Sequence, residues 1–91
     1  MLTRTFLRNL ITKAHPLRPV VLIGNKGLTP QVHNEVEAAL MAHELIKVRV
    51  NAPTKEQRQE MIAKMAQEHQ ATIVQNIGHI LVLYRANPEK S

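Results

Sequence analysis

The 91-residue sequence contains no cysteine, no aspartate and no tryptophan, and its aromatic residues are one Phe and one Tyr. The absence of cysteine excludes disulfides and thiolate metal sites, and it fits a reducing compartment. Hydrolases that combine Asp, His and a nucleophile are excluded because there is no Asp, and the single Ser is the last residue. Two aromatic residues are too few for the base-stacking platforms of RRM or OB domains.

Long apolar runs are also missing. No run approaches the ~18 residues that span a bilayer, and the first residues lack the continuous apolar centre of a secretory signal. We therefore expect a cytoplasmic protein with no membrane partner. The alternative is a mitochondrial presequence, because the N-terminal segment is amphipathic, free of acids and contains Arg and Thr. The length and the hydrophobic content of 44% predict one domain over 1–91, with a core over about 3–86 and a polar tail over 87–91. We expect this domain to be a monomer.

The charge is positive and concentrated in the first half of the chain. The net charge is +5, and the first fifty residues carry seven bases and three acids. A basic half predicts a polyanionic partner, either nucleic acid or an anionic membrane surface. The competing interpretation is a solvated basic surface without a specific partner.

The spacing of apolar residues predicts three helices and four strands. Helices are predicted over 3–14, 30–43 and 55–69. A threonine precedes each helix as a candidate N-cap: Thr3, Thr29 and Thr54. Strands are predicted over 20–23, 45–50, 72–77 and 79–85. The fold class is therefore α/β, or α+β by some definitions, in the order helix-strand-helix-strand-helix-strand-strand.

The strands are predicted to form one mixed sheet. Two strand–helix–strand steps predict parallel pairing, and a hairpin turn at Gly78 adds an antiparallel pair. Residues 20–23 are apolar on both faces, which predicts a central strand buried from both sides, and the alternative is a strand that helices cover on one face alone. Residues 45–50 alternate, and Lys47 and Arg49 lie on the wet side. These two cations either extend a basic track or belong to an edge strand that keeps its charge in water.

The segment GNKG at 24–27 lies between a predicted strand and a predicted helix. Glycine permits positive φ and removes the Cβ that would keep a phosphate away from the backbone. The N-terminus of the following helix adds unpaired N–H groups, and Lys26 adds a full charge. We interpret Gly24, Asn25, Lys26 and Gly27 as a phosphate site for nucleic acid, and the alternative is an ordinary tight turn. The P-loop pattern is absent.

Other side chains either belong to the same nucleic-acid surface or have no binding role. Further basic residues are predicted to bind nucleic acid: Lys13, Arg18, Lys47, Arg49, Arg4 and Arg8. His43 and His69 fall on apolar helix faces and are predicted to pack, whereas His33 and His79 are predicted to be exposed. No histidine has the i, i+4 pairing with an acid that a zinc site needs, so we predict no metal, cofactor or catalytic residue.

Three separated motifs resemble a known family: AHPLRPVVLIGNKGLT, HELIKVRV and IGHILVLYR. They resemble the CRM domain (chloroplast RNA splicing and ribosome maturation), and above all its stand-alone bacterial form, the YhbY family. The resemblance covers about residues 7–88. It implies three helices and a four-stranded mixed sheet, similar to the C-terminal domain of bacterial translation initiation factor three. It also implies RNA binding through the GxxG loop, which here is Gly24 to Gly27.

The resemblance further implies a biological role. Bacterial members associate with precursors of the large ribosomal subunit, and plant organellar members assist group II intron splicing. We therefore expect a protein that is not an enzyme, binds ribosomal RNA precursors and assists assembly of the large subunit. The alternatives are an adaptor that docks on a ribosomal protein or an assembly factor, and a general RNA chaperone or splicing accessory.

Overall fold

The computed structural model describes residues 3–87 and contains the seven predicted elements in the predicted order. The helices are α1 (Arg4–Ala14), α2 (Pro30–His43) and α3 (Lys55–Glu68). The strands are β1 (Pro19–Ile23), β2 (Leu45–Val50), β3 (Thr72–Ile77) and β4 (Ile80–Tyr84). They form one mixed sheet in the order β1-β2-β4-β3, so the predicted fold class is confirmed. Residues 88–91 of the predicted tail lie outside the described residues.

Each helix begins after the threonine that the sequence indicates. The side chains of Thr3, Thr29 and Thr54 each accept a hydrogen bond from the amide three residues later, at 3.0 to 3.2 Å. Each bond satisfies one donor of the first turn and typically stabilises a helix by ~1 kcal/mol. Within residues 3–87, none of these helices combines the length and the apolarity needed to cross a bilayer.

β1 is an edge strand, so the prediction that it is central and buried on both faces is wrong, whereas the alternative that helices cover one face alone is confirmed. Its neighbour in the sheet is β2, with which it pairs in parallel. Val21 and Ile23 are buried, whereas Val20 and Leu22 are 54% and 57% exposed. The strand is apolar on both faces although only one face is covered. Two large apolar side chains therefore remain in contact with water.

β2 lies between β1 and β4, so the alternative that Lys47 and Arg49 belong to an edge strand is wrong. The predicted alternation of β2 is confirmed, because Ile46, Val48 and Val50 are buried on one face. β2 and β3 do not pair with each other, because β4 lies between them and is antiparallel to both. Parallel pairing is therefore limited to β1 and β2.

α2 and α3 cover one face of the sheet and form the main core with it. The strands contribute Val21, Ile23, Ile46, Val48, Val50, Leu81 and Leu83. The helices contribute Val32, Val36, Leu40, Ile62, Met65 and Ala66. Full burial of a Val, Leu, Ile or Met side chain stabilises the folded state by ~1.5–3 kcal/mol. This layer therefore carries most of the apolar stabilisation.

α1 packs on the opposite face of the sheet. Leu10 and Ala14 of α1 are buried there, and so is Val82, which alternates with the core-facing residues of β4. Near the start of α1, the rings of Phe6 and Tyr84 meet edge to face with their centroids 5.5 Å apart. The main contacts of α1 are with β2 and β3, on either side of β4. This single helix therefore leaves the outer face of β1 open.

The hairpin and the end of the described chain are both well fixed. The predicted hairpin is confirmed, with Gly78 at a φ of +57° in a two-residue turn between Ile77 and Ile80. Asn87 is buried and donates from its side chain to the carbonyl of Met41, at 2.9 Å. The packed part of the chain therefore extends to Asn87, one residue beyond the predicted core.

A chain of ionisable side chains joins α2, α3 and the end of β4. Arg85 donates two hydrogen bonds to the carboxylate of Glu37, at 2.9 and 2.8 Å. The same carboxylate accepts a bond from Nδ1 of His69, at 3.0 Å. Nε2 of His69 lies 2.9 Å from Nδ1 of His33, whose Nε2 lies 3.3 Å from the carboxylate of Glu68. The hydrogen bonds from Arg85 and His69 lower the pKa of Glu37 to about 2.

Replacing Glu37 by Gln should lower the free energy of unfolding by about 1 kcal/mol at neutral pH, the upper end for a solvent-exposed pair. Because the folded-state pKa of about 2 lies below the ordinary value of 4.5, this stabilisation is complete above pH 4.5. It is lost as the pH falls from 4.5 toward 2. Urea titrations of wild type and E37Q across this range should therefore converge at low pH.

Glu35→Gln is the matched control, because Glu35 lies on the same helix and forms no ion pair within residues 3–87. Its substitution should change the free energy of unfolding little at any pH. An equal loss of unfolding free energy in the two variants would contradict the importance of the bonds between Glu37, Arg85 and His69.

Candidate nucleic-acid interface

The GNKG loop forms a tight turn that leaves its two central side chains in water. The amide of Gly27 donates to the carbonyl of Gly24 at 3.0 Å, and the amide of Thr29 donates to the carbonyl of Gly27 at 3.1 Å. Asn25 and Lys26 occupy the tip of the turn and are both exposed. The loop thus presents the ammonium group of Lys26 at the edge of the sheet where β1 ends.

The two glycines of the loop have different roles in the fold. Gly27 has a φ of +72°, so the backbone favours glycine there. A Cβ on it would make an ordinary contact with Cε of Met61, at 3.5 Å. Gly24 has no positive φ, and a Cβ on it would meet no described atom within 4 Å. The fold therefore accounts for Gly27 but not for Gly24. Open space in front of a glycine suits the close approach of a ligand to the backbone.

The N-terminus of α2 offers fewer donors than the sequence suggests. Pro30 has no N–H, and the amides of Val32 and His33 donate to the side-chain and main-chain oxygens of Thr29. Within the described part of the chain, this leaves the amide of Gln31 as the free donor of the first turn. Attraction for a phosphate therefore depends mainly on Lys26 and the loop backbone.

Two grooves of about 470 Å³ each flank the GNKG loop. One lies against α3 and includes Met61 and Glu60. The other lies against the start of α2 and includes the exposed Leu22 together with Glu35. Each groove combines apolar carbon with a carboxylate, which repels a phosphate at close range, and the groove against α3 also contains Lys64. A phosphate therefore fits better at the loop tip, beside Lys26, than inside either groove.

The acids of the described chain, but not its cations, are confined to one side of the sheet, because α3 also carries Lys55, Arg58 and Lys64. All acids within residues 3–87 lie on α2, its C-cap or α3: Glu35, Glu37, Glu44, Glu56, Glu60 and Glu68. In contrast, α1, the four strands and the loops between α1 and α2 carry seven cations and no acid. These seven are the cations that the sequence predicts to bind RNA. We call this region the positive side, and its field attracts polyanions.

Lys47 differs from the other cations of the positive side. Six of the seven are exposed: Arg4, Arg8, Lys13, Arg18, Lys26 and Arg49. Lys47 is half-buried, and its Nζ donates to the carbonyl of His15, the C-cap of α1, at 3.2 Å. A cation at this position complements the negative end of the helix dipole. Lys47 therefore helps to hold α1 on the sheet and is less available to a phosphate than the other six.

The structure corrects two of the histidine predictions. His69 is buried and His79 is exposed, as predicted. His43 is exposed at the end of α2, so its predicted packing is wrong, and His33 is half-buried against His69 rather than exposed. The contact between His33 and His69 joins residues 36 positions apart, which helical periodicity does not reveal.

Nearly the whole chain matches one known domain. The family model of the CRS1 / YhbY (CRM) domain aligns with residues 2–85. This chain belongs to the CRM domain family. A relative named "RNA-binding protein" in Haemophilus influenzae is 49% identical over 86 residues, which are 94% of this chain and 84% of that protein. "Probable RNA-binding protein YqeI" of Bacillus subtilis is 34% identical over 89 residues, 98% of this chain and 93% of that one.

A solved structure shares the fold of this CRM domain. It is the solution structure of a hypothetical Staphylococcus aureus protein, described as a candidate RNA-binding protein. The two chains superpose with a TM-score of 0.83 and are 30% identical, over 100% of this chain and 95% of the other. The family and the fold predicted from the sequence are therefore confirmed.

Gly24→Ala and Gly27→Ala should differ in their effect on stability. Alanine at the positive φ of Gly27 should cost about 1–2 kcal/mol of unfolding free energy. Alanine at Gly24 should leave the unfolding free energy within about 0.5 kcal/mol of wild type or raise it slightly, since nothing obstructs a Cβ there. Urea unfolding followed by circular dichroism measures both. An equal loss of unfolding free energy in the two variants would contradict the separate roles of the two glycines.

Proposed function

We propose that this CRM protein binds RNA without catalysing a reaction, and that it holds phosphates at the GNKG loop and along the positive side. The observation that carries the proposal is the separation of charge, with seven cations and no acid on α1, the strands and the loops between α1 and α2. Phosphate contacts of this kind supply affinity and register rather than sequence specificity. The names of the Haemophilus influenzae and Bacillus subtilis relatives support the same ligand class.

The RNA in this proposal is a precursor of large-subunit ribosomal RNA, and the protein assists assembly of that subunit as a cytoplasmic monomer. The similarity of the chain to the stand-alone bacterial form of the domain supports this choice. A role as a splicing accessory is the alternative for an RNA-binding CRM domain.

An adaptor that docks on a ribosomal protein or an assembly factor is the second candidate function. The exposed apolar side chains of Val20 and Leu22 favour it, because such residues often mark protein contacts. The positive side would then meet an acidic protein surface instead of RNA.

Lys26→Ala should weaken RNA binding without changing the fold, because Lys26 is exposed at the loop tip and packs against nothing in the core. The logarithm of the binding constant should fall linearly with the logarithm of salt concentration, with a slope that reflects ~4–6 phosphates, and Lys26→Ala should reduce the slope by about 1. Fluorescence anisotropy with a labelled RNA measures both quantities. Gly24→Ala should also weaken binding, although it leaves stability unchanged.

Lys55→Ala is the matched control, because it removes the same charge from an exposed position on α3 that lines neither of the two grooves beside the GNKG loop. It should leave the affinity and the salt slope close to wild type. Binding that is independent of salt, or equally sensitive to Lys26→Ala and Lys55→Ala, would refute the proposed interface.

Nuclease treatment separates the RNA-binding function from the adaptor function. The tagged protein should co-sediment with large-subunit precursors, and RNase digestion before sedimentation should release it, because its contacts are to phosphates. Retention on the protein fraction after complete digestion would favour the adaptor.

A further inference from the structure

An apolar strip lies along the open edge of the positive side. Its members are Leu17, Val20 and Leu22, which are 39%, 54% and 57% exposed, and we call them the β1 strip. Leu22 lines the groove that also contains the GNKG loop. Leu17 and Val20 line a third groove of about 450 Å³, together with Lys13 and Arg18. The strip therefore connects the loop to the cations that follow α1.

The fold does not require apolar side chains at the exposed strand positions of the strip. Val20 and Leu22 lie outside the buried core that α2 and α3 form with the sheet, and the main strand contacts of α1 are with β2 and β3. Threonine would keep the strand propensity at both positions without exposing as much hydrocarbon. An exposed apolar edge strand also favours unwanted pairing between molecules. These residues are therefore better explained by a ligand that covers them.

Cations surround the β1 strip. Lys13 and Arg18 lie at one end, and Lys26 lies at the other. Arg49 is the β2 partner of Leu22 in the sheet register, so its guanidinium group projects from the same face. The ligand of this surface must therefore combine negative charge with exposed apolar faces.

Single-stranded RNA has this combination of properties, and duplex RNA does not. In a duplex the base faces are stacked on each other, and the deep major groove excludes side chains, so the protein meets phosphates and hydroxyl groups. In a single strand the bases can turn out and lie on side chains. This chain has only two aromatic residues, so aliphatic side chains would have to supply the platform.

We infer that the positive side binds single-stranded RNA, with phosphates at Lys26 and the flanking cations and with bases lying on the β1 strip. The inference rests on the proposed RNA-binding function and specifies its substrate class. Arg49 can stack its guanidinium plane on a base next to Leu22. Glu35, which shares the groove of Leu22 and the loop, can accept a hydrogen bond from an amino group of a base.

The double variant Val20→Thr/Leu22→Thr tests this inference. Its matched control is Ile73→Thr, because Ile73 is 42% exposed on the other edge strand but lies beside Leu83, on the opposite face. The probes are a labelled single-stranded oligoribonucleotide of mixed sequence and the blunt duplex that it forms with its complement. Circular dichroism melts verify that each variant is folded, and Leu22→Thr alone serves if the double variant is not.

The wild type should bind the single strand more tightly than the duplex. The double variant should lower affinity for the single strand by about three- to tenfold, as expected for partly buried apolar contacts, and leave duplex affinity unchanged. Its salt slope should equal that of wild type, because no phosphate contact is lost. Ile73→Thr should change neither affinity.

Three results would overturn the inference. They are equal wild-type affinity for the two RNAs, wild-type affinity of the double variant for the single strand, and loss of a ribosomal or assembly-factor protein contact by a variant that still binds RNA normally. In each of these, Lys26→Ala should still weaken RNA binding, so the proposed function stands while the inference falls. Absence of binding to either RNA would refute both.

Discussion

One helix cannot cover a face of a four-stranded sheet, and the arrangement of the whole surface depends on this limit. Neighbouring strands lie ~4.8 Å apart, so four strands extend over roughly 14 Å between their outer axes, whereas a helix with its side chains is about 10–12 Å wide. α2 and α3 together close one face. α1 alone lies over β2, β4 and β3 on the other face. β1 is therefore covered on one side only, and the loop that follows it lies at an open edge.

The distribution of charge gives this open edge its chemical character. Within residues 3–87, acids are confined to α2, its C-cap and α3, and some of them are already bound there, as Glu37 is by Arg85 and His69. The cations of α1, the strands and the intervening loops have no acid on their own elements. Lys47 meets the C-terminus of α1, which leaves six exposed cations on the positive side. Four of them lie beside the open edge of β1: Lys13, Arg18, Lys26 and Arg49. Helix coverage and charge placement thus leave the same region open to a polyanion.

Local sequence signals predicted the helices and strands. The features that they did not predict depend on contacts between residues that are far apart in the sequence. Thr3, Thr29 and Thr54 determine where the helices begin because a cap depends on a backbone three residues away. The place of β1 at the edge depends instead on which strands pair, and a four-residue apolar run looks the same at the centre and at the edge of a sheet. The contact between His33 and His69 likewise exists only once α2 and α3 pack together. The GNKG turn was predictable, whereas the unequal roles of its two glycines were not.

The wrong prediction that β1 is a central strand and the presence of Gly24, which the fold does not require, have a common physical origin. A sequence records that a position is apolar or lacks a side chain, but it does not record whether the protein or a ligand fills the space next to it. Val21 and Gly27 are explained by the fold, through burial and positive φ. Leu22 and Gly24 are not, and both line the same groove beside Lys26. Positions that depart from what the local fold requires tend to be functional, so their convergence on one groove argues for a ligand that occupies it.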